Sequence, residues 1–455
     1  MHKRFGVIIT HPMQYYSPLF RKISESGKIE LKVFYTWSQA QGKKYDPGFG
    51  KEVDWDIPLL DRYDYTFVNN ISKKPGSNHF NGIVNPTLIR EIEEWNADAV
   101  LIIGWNFNSH LKAMRYFKGK IPVYFRGDST LLDERSELKK IARRIFLRWV
   151  YSYIDYAFYV GTRNKEYFLA HGLKPEQLIF APHAIDNERF YDKDGSYRQK
   201  ALEWRRSLGI KDDDFVFLFA GKLEPKKNPM LLLKAFMQLN LSREINPSIS
   251  PGNSKSHLIF VGNGVLENEL KNYITRSLSL PQSKDIIPSS VSSRAKSRDE
   301  DGKLKQDLPD GSQVQLDNKS DDATMQQWNN PSIHFLDFHN QSAMPIVYRL
   351  GNVFVLPSIS ETWGLAVNEA MACGLPVIVS DKVGCAFDLV EQDENGYIFK
   401  SNDEKELMKV MNLCIDKWKN DKNKFDEMGF SSLNKIQGYS MDVLAENILA
   451  SLVKV

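Results

Sequence analysis

Short runs of β-branched and aromatic residues alternate with helical patterns along most of this chain. FGVIIT (5–10), LKVFYT (31–36), AVLIIG (99–104), PVYFRG (122–127) and YAFYVG (156–161) form a first series of predicted strands. DFVFLFAG (214–221), HLIFVG (257–262), VFVLPS (353–358) and PVIVS (376–380) form a second. This alternation predicts βαβ units and parallel sheets in an α/β fold. Between the series, in LIFAPHAIDNERFYDKDGSYRQK, apolar runs give way to charged and turn-forming residues, which puts a domain boundary at about Asp186. The expected domains are 1–185 and 186–436, with a last helix at about 437–455, whose periodicity lies in GYSMDVLAENILASLVKV, expected to cross back to the first domain.

Two stretches interrupt the second series. Residues 242–256 (SREINPSISPGNSKS) and a longer tract over 281–331, rich in Ser, Asp, Lys and Gln, hold few apolar side chains. Such compositions bury too little surface to offset the entropy of ordering, so disordered insertions are expected at both.

Bulk properties exclude several classes. A chain of 455 residues exceeds the size at which single cores stop growing, so two domains are expected. A hydrophobic fraction of 42% and a charged fraction of 26% describe an ordinary globular protein, and a net charge of +3 is too small to point to nucleic acid. Cys373, Cys385 and Cys414 have neither metal-like nor disulfide-like spacing and suit a reducing compartment. FGVIIT is too short for the apolar core of an export signal, and no run reaches membrane-spanning length, so a cytoplasmic protein is expected.

Candidate chemistry sits where strands meet helices. The first strand runs into HPMQYYSP (11–18), a rigid aromatic loop where a glycine-rich turn is the usual nucleotide-binding device. Ser17 and Pro18 suit a helix cap and first position, and Gly27 suits its far end. Since ligands of open α/β sheets bind at the carboxyl ends of the strands, this loop is a candidate site wall.

The most informative stretch is SISETWGLAVNEAMACGLPVIVSD, with Glu361 in a loop and a helix expected from about Trp363 to Cys373. Glu361 and Glu369 lie eight positions apart, which on a helix is roughly 12 Å of rise. That is too far for the two carboxyls of a retaining glycosidase, which stand about 5 to 5.5 Å apart. The pair suits two hydroxyl-bearing parts of one elongated ligand, with the helix start at Gly364 and Leu365 favouring an anion between them. An anion flanked by hydroxyls describes a nucleotide-diphosphate sugar. In AGKLEPKKNP, Lys222 and Lys227 sit on another strand-to-helix loop, where they either neutralise a diphosphate or are simply solvated. VGNG (261–264), with Asn263 and Gly264, is a further turn at the same edge, where glycines also serve tight packing.

These residues carry a resemblance. The second half, over about 181–399 apart from the insertions, resembles the nucleotide-sugar domain of family 4 glycosyltransferases, which have the GT-B fold of two facing Rossmann-like domains with parallel sheets and an interdomain cleft. The E-x7-E signature stands as Glu361 and Glu369. GKLEPKKN is similar to the family's G-R-L-x-x-x-K-G loop with Lys222 for arginine and Asn228 for glycine, VGNGVLENEL to its VGDGP turn, and APHAIDNERF to its hinge segment with His183 and Ala184 substituted. The resemblance implies that Glu369 binds ribose hydroxyls and Glu361 a hydroxyl of the donor sugar. Lys222, Lys227 and the amides at Gly364 and Leu365 would hold the diphosphate, and the base would lie near Phe338 and His339. It implies retention of anomeric configuration, no metal and no cofactor beyond the donor substrate.

The first half departs from the pattern. Where many members carry a histidine, this sequence has Arg126, Gly127 and Asp128. Asp128 suits either an acceptor hydroxyl or a turn cap, and His11 is a second polar candidate for the reaction. Gln14, Tyr15, Tyr16 and Arg126 are the candidate acceptor side, with the tyrosines either stacking on a sugar or packing in the core. The expected function is a retaining glycosyltransferase that moves a sugar from a nucleotide donor to a glycan or lipid-linked acceptor, in cell-surface polysaccharide assembly. An inactive nucleotide-sugar-binding module and a GT-B sugar-nucleotide epimerase are the alternatives. Residues 139–149 carry Lys139, Lys140, Arg143, Arg144 and Arg148 among Ile141, Ile145, Phe146 and Trp149. That segment reads either as a peripheral contact with an anionic membrane or as a helix whose apolar side is core.

Overall fold

In the computed structural model, residues 2–40, 44–46, 51–133, 137–245, 255–279 and 332–453 are described. One compact unit comprises residues 1–270 and 332–455. A second comprises 271–331, of which 271–279 are described and helical.

The first unit is built on two wholly parallel sheets. Its strands are β1 (Lys3–Ile9), β2 (Ile29–Tyr35), β3 (Lys44–Asp46), β4 (Lys51–Val53), β5 (Asp64–Phe67), β6 (Ala99–Ile103), β7 (Val123–Arg126), β8 (Tyr156–Tyr159) and β9 (Leu178–Phe180), followed by β10 (Phe215–Ala220), β11 (Ser256–Val261), β12 (Ile333–Leu336), β13 (Val353–Leu356), β14 (Val377–Ser380) and β15 (Gly396–Phe399). The seven-stranded sheet has the order β5-β2-β1-β6-β7-β8-β9 and the six-stranded sheet the order β12-β11-β10-β13-β14-β15. Each adjacent pair runs parallel, whereas β3 and β4 form a separate antiparallel pair. Helices cover both faces of each sheet, so inner strands such as β10 and β13 are buried at every position.

All the strands read from apolar runs are present. The remaining strands of the two parallel sheets, β5, β9, β12 and β15, are the four sheet edges. Edge strands face solvent along one side and need no continuous apolar run. In β5 the sequence DYTF has no buried residue, and in β9 LIF is only half-buried.

Several local expectations change. The first helix runs Ser17–Glu25 with Tyr16 at the cap position and no side-chain cap, because the turn closes through the Tyr16 and Ser17 amides onto the Met13 carbonyl, both at 3.0 Å. The helix after the Glu361 loop spans Leu365–Ala372, since Gly364 has φ +101° and cannot be helical. Residues 242–245, expected within an insertion, instead finish the helix Pro229–Ile245, where buried Arg243 donates to Asn412 Oδ1. At the far end of the same expected insertion Ser256 already begins β11, while residues 246–254 and 281–331 lie outside the described residues.

The last helix, Met441–Val453, belongs to the layer under the seven-stranded sheet. Leu444, Ile448 and Leu452 share a core with Phe5, Val7, Leu19 and Ile23. Lys3 Nζ donates to the Leu452 carbonyl at 2.8 Å, which ties the ends of the chain together. Each such apolar side chain contributes about 1.5–3 kcal/mol when fully buried, so packing anchors this last helix on the seven-stranded sheet of the first half.

The basic helix Glu137–Tyr151 packs on the sheet through Leu147, Val150 and Tyr151. Ile141, Ile145, Phe146 and Trp149, named above as a candidate core face, are instead 56%, 68%, 43% and 42% exposed. Among the described residues no helix is long and apolar enough to cross a membrane.

Candidate functional site

At the carboxyl edge of the six-stranded sheet the loops after β10, β11 and β12 meet the helix Leu365–Ala372. They enclose a cavity of about 370 Å³ lined by Lys222, Lys227, Gly262, Phe338, Tyr348 and Glu369, with Gln14, Tyr15 and Trp55 contributed by the first half of the chain. Glycine lets these loops touch backbone to backbone. A Cβ on Gly262 would stand 2.3 Å from the Gly221 carbonyl oxygen, and one on Gly264 2.4 Å from that of Leu223. Asn228, at φ +53°, occupies a left-handed turn that asparagine tolerates better than most residues other than glycine.

Glu361 and Lys227 come together although 134 positions separate them. Their side chains form an ion pair, each mostly shielded from solvent at 15% and 16% exposure. The Glu361 backbone is fixed to the loop after β14, its amide donating to the Lys382 carbonyl (3.2 Å) and its carbonyl accepting from the Gly384 amide (3.0 Å). Gly364 then opens the helix Leu365–Ala372, whose first N–H groups have no partner within the helix. A lysine, a carboxylate and a helix start thus stand side by side, able to hold an anion and one hydroxyl.

Glu369 lies inside the cavity wall and is 4% exposed. Its Oε2 accepts from the Tyr348 hydroxyl at 2.7 Å and its Oε1 from the Tyr15 hydroxyl at 3.2 Å. Burial raises the Glu369 pKa, opposed by the two phenol hydrogen bonds and the charge of Arg189. Burial, with the neighbouring carboxylate, holds both phenols well above the usual tyrosine value, so they act as donors at all ordinary pH. A carboxylate has about four lone-pair directions, so Glu369 retains capacity for ligand hydroxyls.

Across from the Glu361 loop, Asp128 Oδ2 accepts from Thr362 Oγ1 at 3.1 Å and lies 3.9 Å from His183 Nε2. Burial, then the charge of Arg126, lowers the His183 pKa to about 4, with Asp128 pulling the other way. A neutral imidazole therefore stands beside Asp128. His183 was visible in the sequence only as an odd residue in the hinge segment, and Tyr348, Thr362 and Trp55 gave no local signal at all.

Other expected site residues lie elsewhere. Arg126 is not on an open acceptor wall: it is 1% exposed and donates to the carbonyls of Ala181 (2.7 Å) and Pro182 (2.9 Å), clamping the hinge. Tyr16 is half-buried, stacks on Phe20 at 6.1 Å and has the Arg126 guanidinium 6.0 Å from its ring centroid. Tyr15, expected on the acceptor side, shares the cavity with Lys222 and Glu369. His11 bonds Thr10 Oγ1 at 2.9 Å, meets Trp37 edge-on and is not among the cavity-lining residues. Asn263 acts through its neighbours, accepting from the Phe338 amide (3.0 Å) and donating to Asp337 (2.7 Å), and Gly264 packs against Leu223.

Residues 200–283 and 317–430 match the family model for glycosyl transferases group 1. The match lies wholly in the second half of the chain. A D-inositol 3-phosphate glycosyltransferase from Stackebrandtia nassauensis is 24% identical over 241 residues, 53% of this chain and 41% of that protein. An Escherichia coli enzyme, UDP-Gal:alpha-D-GlcNAc-diphosphoundecaprenol alpha-1,3-galactosyltransferase, is 27% identical over 234 residues, 50% of this chain and 43% of that one. The chain thus spans less than half the length of these curated relatives. Among solved structures, Anabaena HepE in complex with UDP and glucose superposes over 100% of both chains with a TM-score of 0.63 at 15% identity. With its two parallel sheets, the chain has the GT-B fold.

Proposed function

We propose that the protein is a metal-independent, retaining glycosyltransferase that moves a sugar from a nucleotide-diphosphate sugar to a glycan or lipid-linked acceptor in cell-surface polysaccharide assembly. The observation that carries this reading is the meeting of Lys227, Glu361 and the helix start at Gly364, with Glu369 one cavity wall away. On donor binding Lys227 exchanges its Glu361 partner for the diphosphate, releasing Glu361 to accept from a sugar hydroxyl. Lys222 and Lys227 then stabilise the charge that develops on the departing nucleoside diphosphate, a role for which preorganised cations suffice. Glu369 takes the ribose hydroxyls on its remaining lone pairs or in place of Tyr15. Neutral His183 and Asp128 face this centre as the polar groups for an acceptor hydroxyl, with Asp128 kept acceptor-competent by Thr362.

A lipid-linked acceptor agrees with the exposed face of the helix Glu137–Tyr151. Ile145, Phe146 and Trp149 project there among Lys139, Arg143, Arg144 and Arg148, the pattern of a helix that lies on an anionic lipid surface. Two experiments test these readings. Transfer from a panel of nucleotide sugars is expected for the unaltered protein and lost in Glu361→Ala, and donor binding without transfer or slow hydrolysis would reduce the protein to a binding module. Sedimentation with phosphatidylglycerol vesicles is expected to drop in an Ile145→Ser/Trp149→Ser variant, and no association by either protein removes the membrane contact.

A further inference from the structure

Residues 54–56 follow β4 and reach the loop after β12, in the other half of the molecule. Asn340 Nδ2 donates to the Asp54 carbonyl. Ser342 donates to the Asp56 carboxylate through both its hydroxyl and its amide, the latter at 3.1 Å. The segment is therefore tied at both ends to one loop, and Trp55 stands between the ties.

Trp55 is half-buried, lines the same cavity as Lys222 and Glu369, and meets Phe338 edge-on at 6.4 Å and 65°. Besides His339, which meets Trp204 edge-on, the aromatic groups of the cavity divide into two kinds. Tyr15 and Tyr348 spend their hydroxyls on Glu369, whereas Trp55 and Phe338 offer apolar ring surface with no hydroxyl. The Phe338 backbone is held by Asn263, so that surface is preorganised.

We infer that Trp55 is a nucleobase contact, delivered across the cleft by the 54–56 strap, and that the first half of the chain closes over the base of a nucleoside diphosphate through this indole. The inference rests on the donor-site reading above and adds a residue to it. A flat heteroaromatic ring matches the apolar surface of an indole and a phenyl set edge to face, and stacking on an aromatic side chain is tolerant of which base is presented. Because the strap's ties and the base contact lie on one loop, base binding and strap closure are coupled.

Calorimetric titration with UDP, GDP, ADP, CDP and inorganic pyrophosphate tests this. For whichever nucleoside diphosphate binds, Trp55→Ala is expected to raise Kd roughly tenfold, the order of one base-aromatic stack, while Trp55→Phe recovers most of it. The pyrophosphate Kd is expected to stay the same. Asp56→Ala with Ser342→Ala, which removes one of the strap's two ties without touching the ring, is expected to shift Kd in the same direction by less. Equal nucleotide affinity in the unaltered protein and in these variants overturns the inference alone, as does an equal loss for pyrophosphate. Failure of the unaltered protein to bind any of the four nucleotides overturns the donor-site reading and this inference with it.

Discussion

The loops that follow β1 and β10 occupy equivalent places, each leading from a central strand into a helix, yet they are built on opposite principles. The loop after β10 places two lysines on a backbone packed so tightly against the β11 turn that only glycine fits at Gly262 and Gly264. The loop after β1 contains no glycine and projects aromatic side chains, of which Tyr15 reaches Glu369 in the other half. The difference teaches that the second half sets its charged side chains on a tightly packed backbone, while the first half reaches them with the ends of long side chains.

The largest effect should come from the charged side of this comparison. Glu361→Ala or Lys227→Ala is expected to lower transfer turnover by roughly 10²–10³-fold, the scale of removing one preorganised electrostatic group, as read in initial-rate assays. Comparable loss from changes confined to the loop after β1 would break the contrast.

The next largest lies in the first half and is structural. Arg126→Ala removes two charge-assisted hydrogen bonds from a buried site and is expected to cost about 3 kcal/mol in denaturant unfolding, leaving nucleotide affinity of the folded protein unchanged. A specific loss of acceptor use at full stability would restore Arg126 to the acceptor wall.

Tyr15→Phe sharpens the boundary between the halves. Removing its hydroxyl deprives Glu369 of one of two phenol donors, so donor affinity should fall by roughly a few-fold in titration calorimetry, in line with one net hydrogen bond. Unchanged donor affinity with impaired acceptor use would return Tyr15 to the acceptor side.

The smallest effect is the pH dependence of the hinge. The folded state lowers the His183 pKa to about 4, below its ordinary value, so the unfolded chain binds more protons between those limits. The stability that neutral His183 contributes is present above about pH 6.5 and lost as pH falls toward 4. Thermal melts of His183→Gln should show a shallower loss over that window, and an unchanged slope would assign the acid sensitivity to other buried histidines such as His110, also lowered to about 4.

Much of the fold was legible because inner parallel strands bury both faces and so carry unbroken apolar runs. The edge strands β5 and β9 escaped because solvent on one side relaxes that demand, and DYTF has no signature of its own, whereas β12 and β15 are runs of only four residues. Glu361, Glu369, Lys222 and Lys227 could be picked out as strand-to-helix loop residues. Their pairing could not, since Lys227 and Glu361 meet only once β10 and β13 lie side by side.

The amino-acid sequence by itself determined the alternation of strands and helices, the two-series organisation, and the residue types gathered at the carboxyl edge of the second sheet. Local spacing and apolar periodicity specify these because they act within a few residues. Tertiary structure alone decided that Arg126 clamps the hinge, that Tyr15 bonds Glu369, and that Trp55 stands against Phe338. Those contacts join positions hundreds of residues apart or turn on burial, which depends on what covers a side chain rather than on its neighbours along the chain.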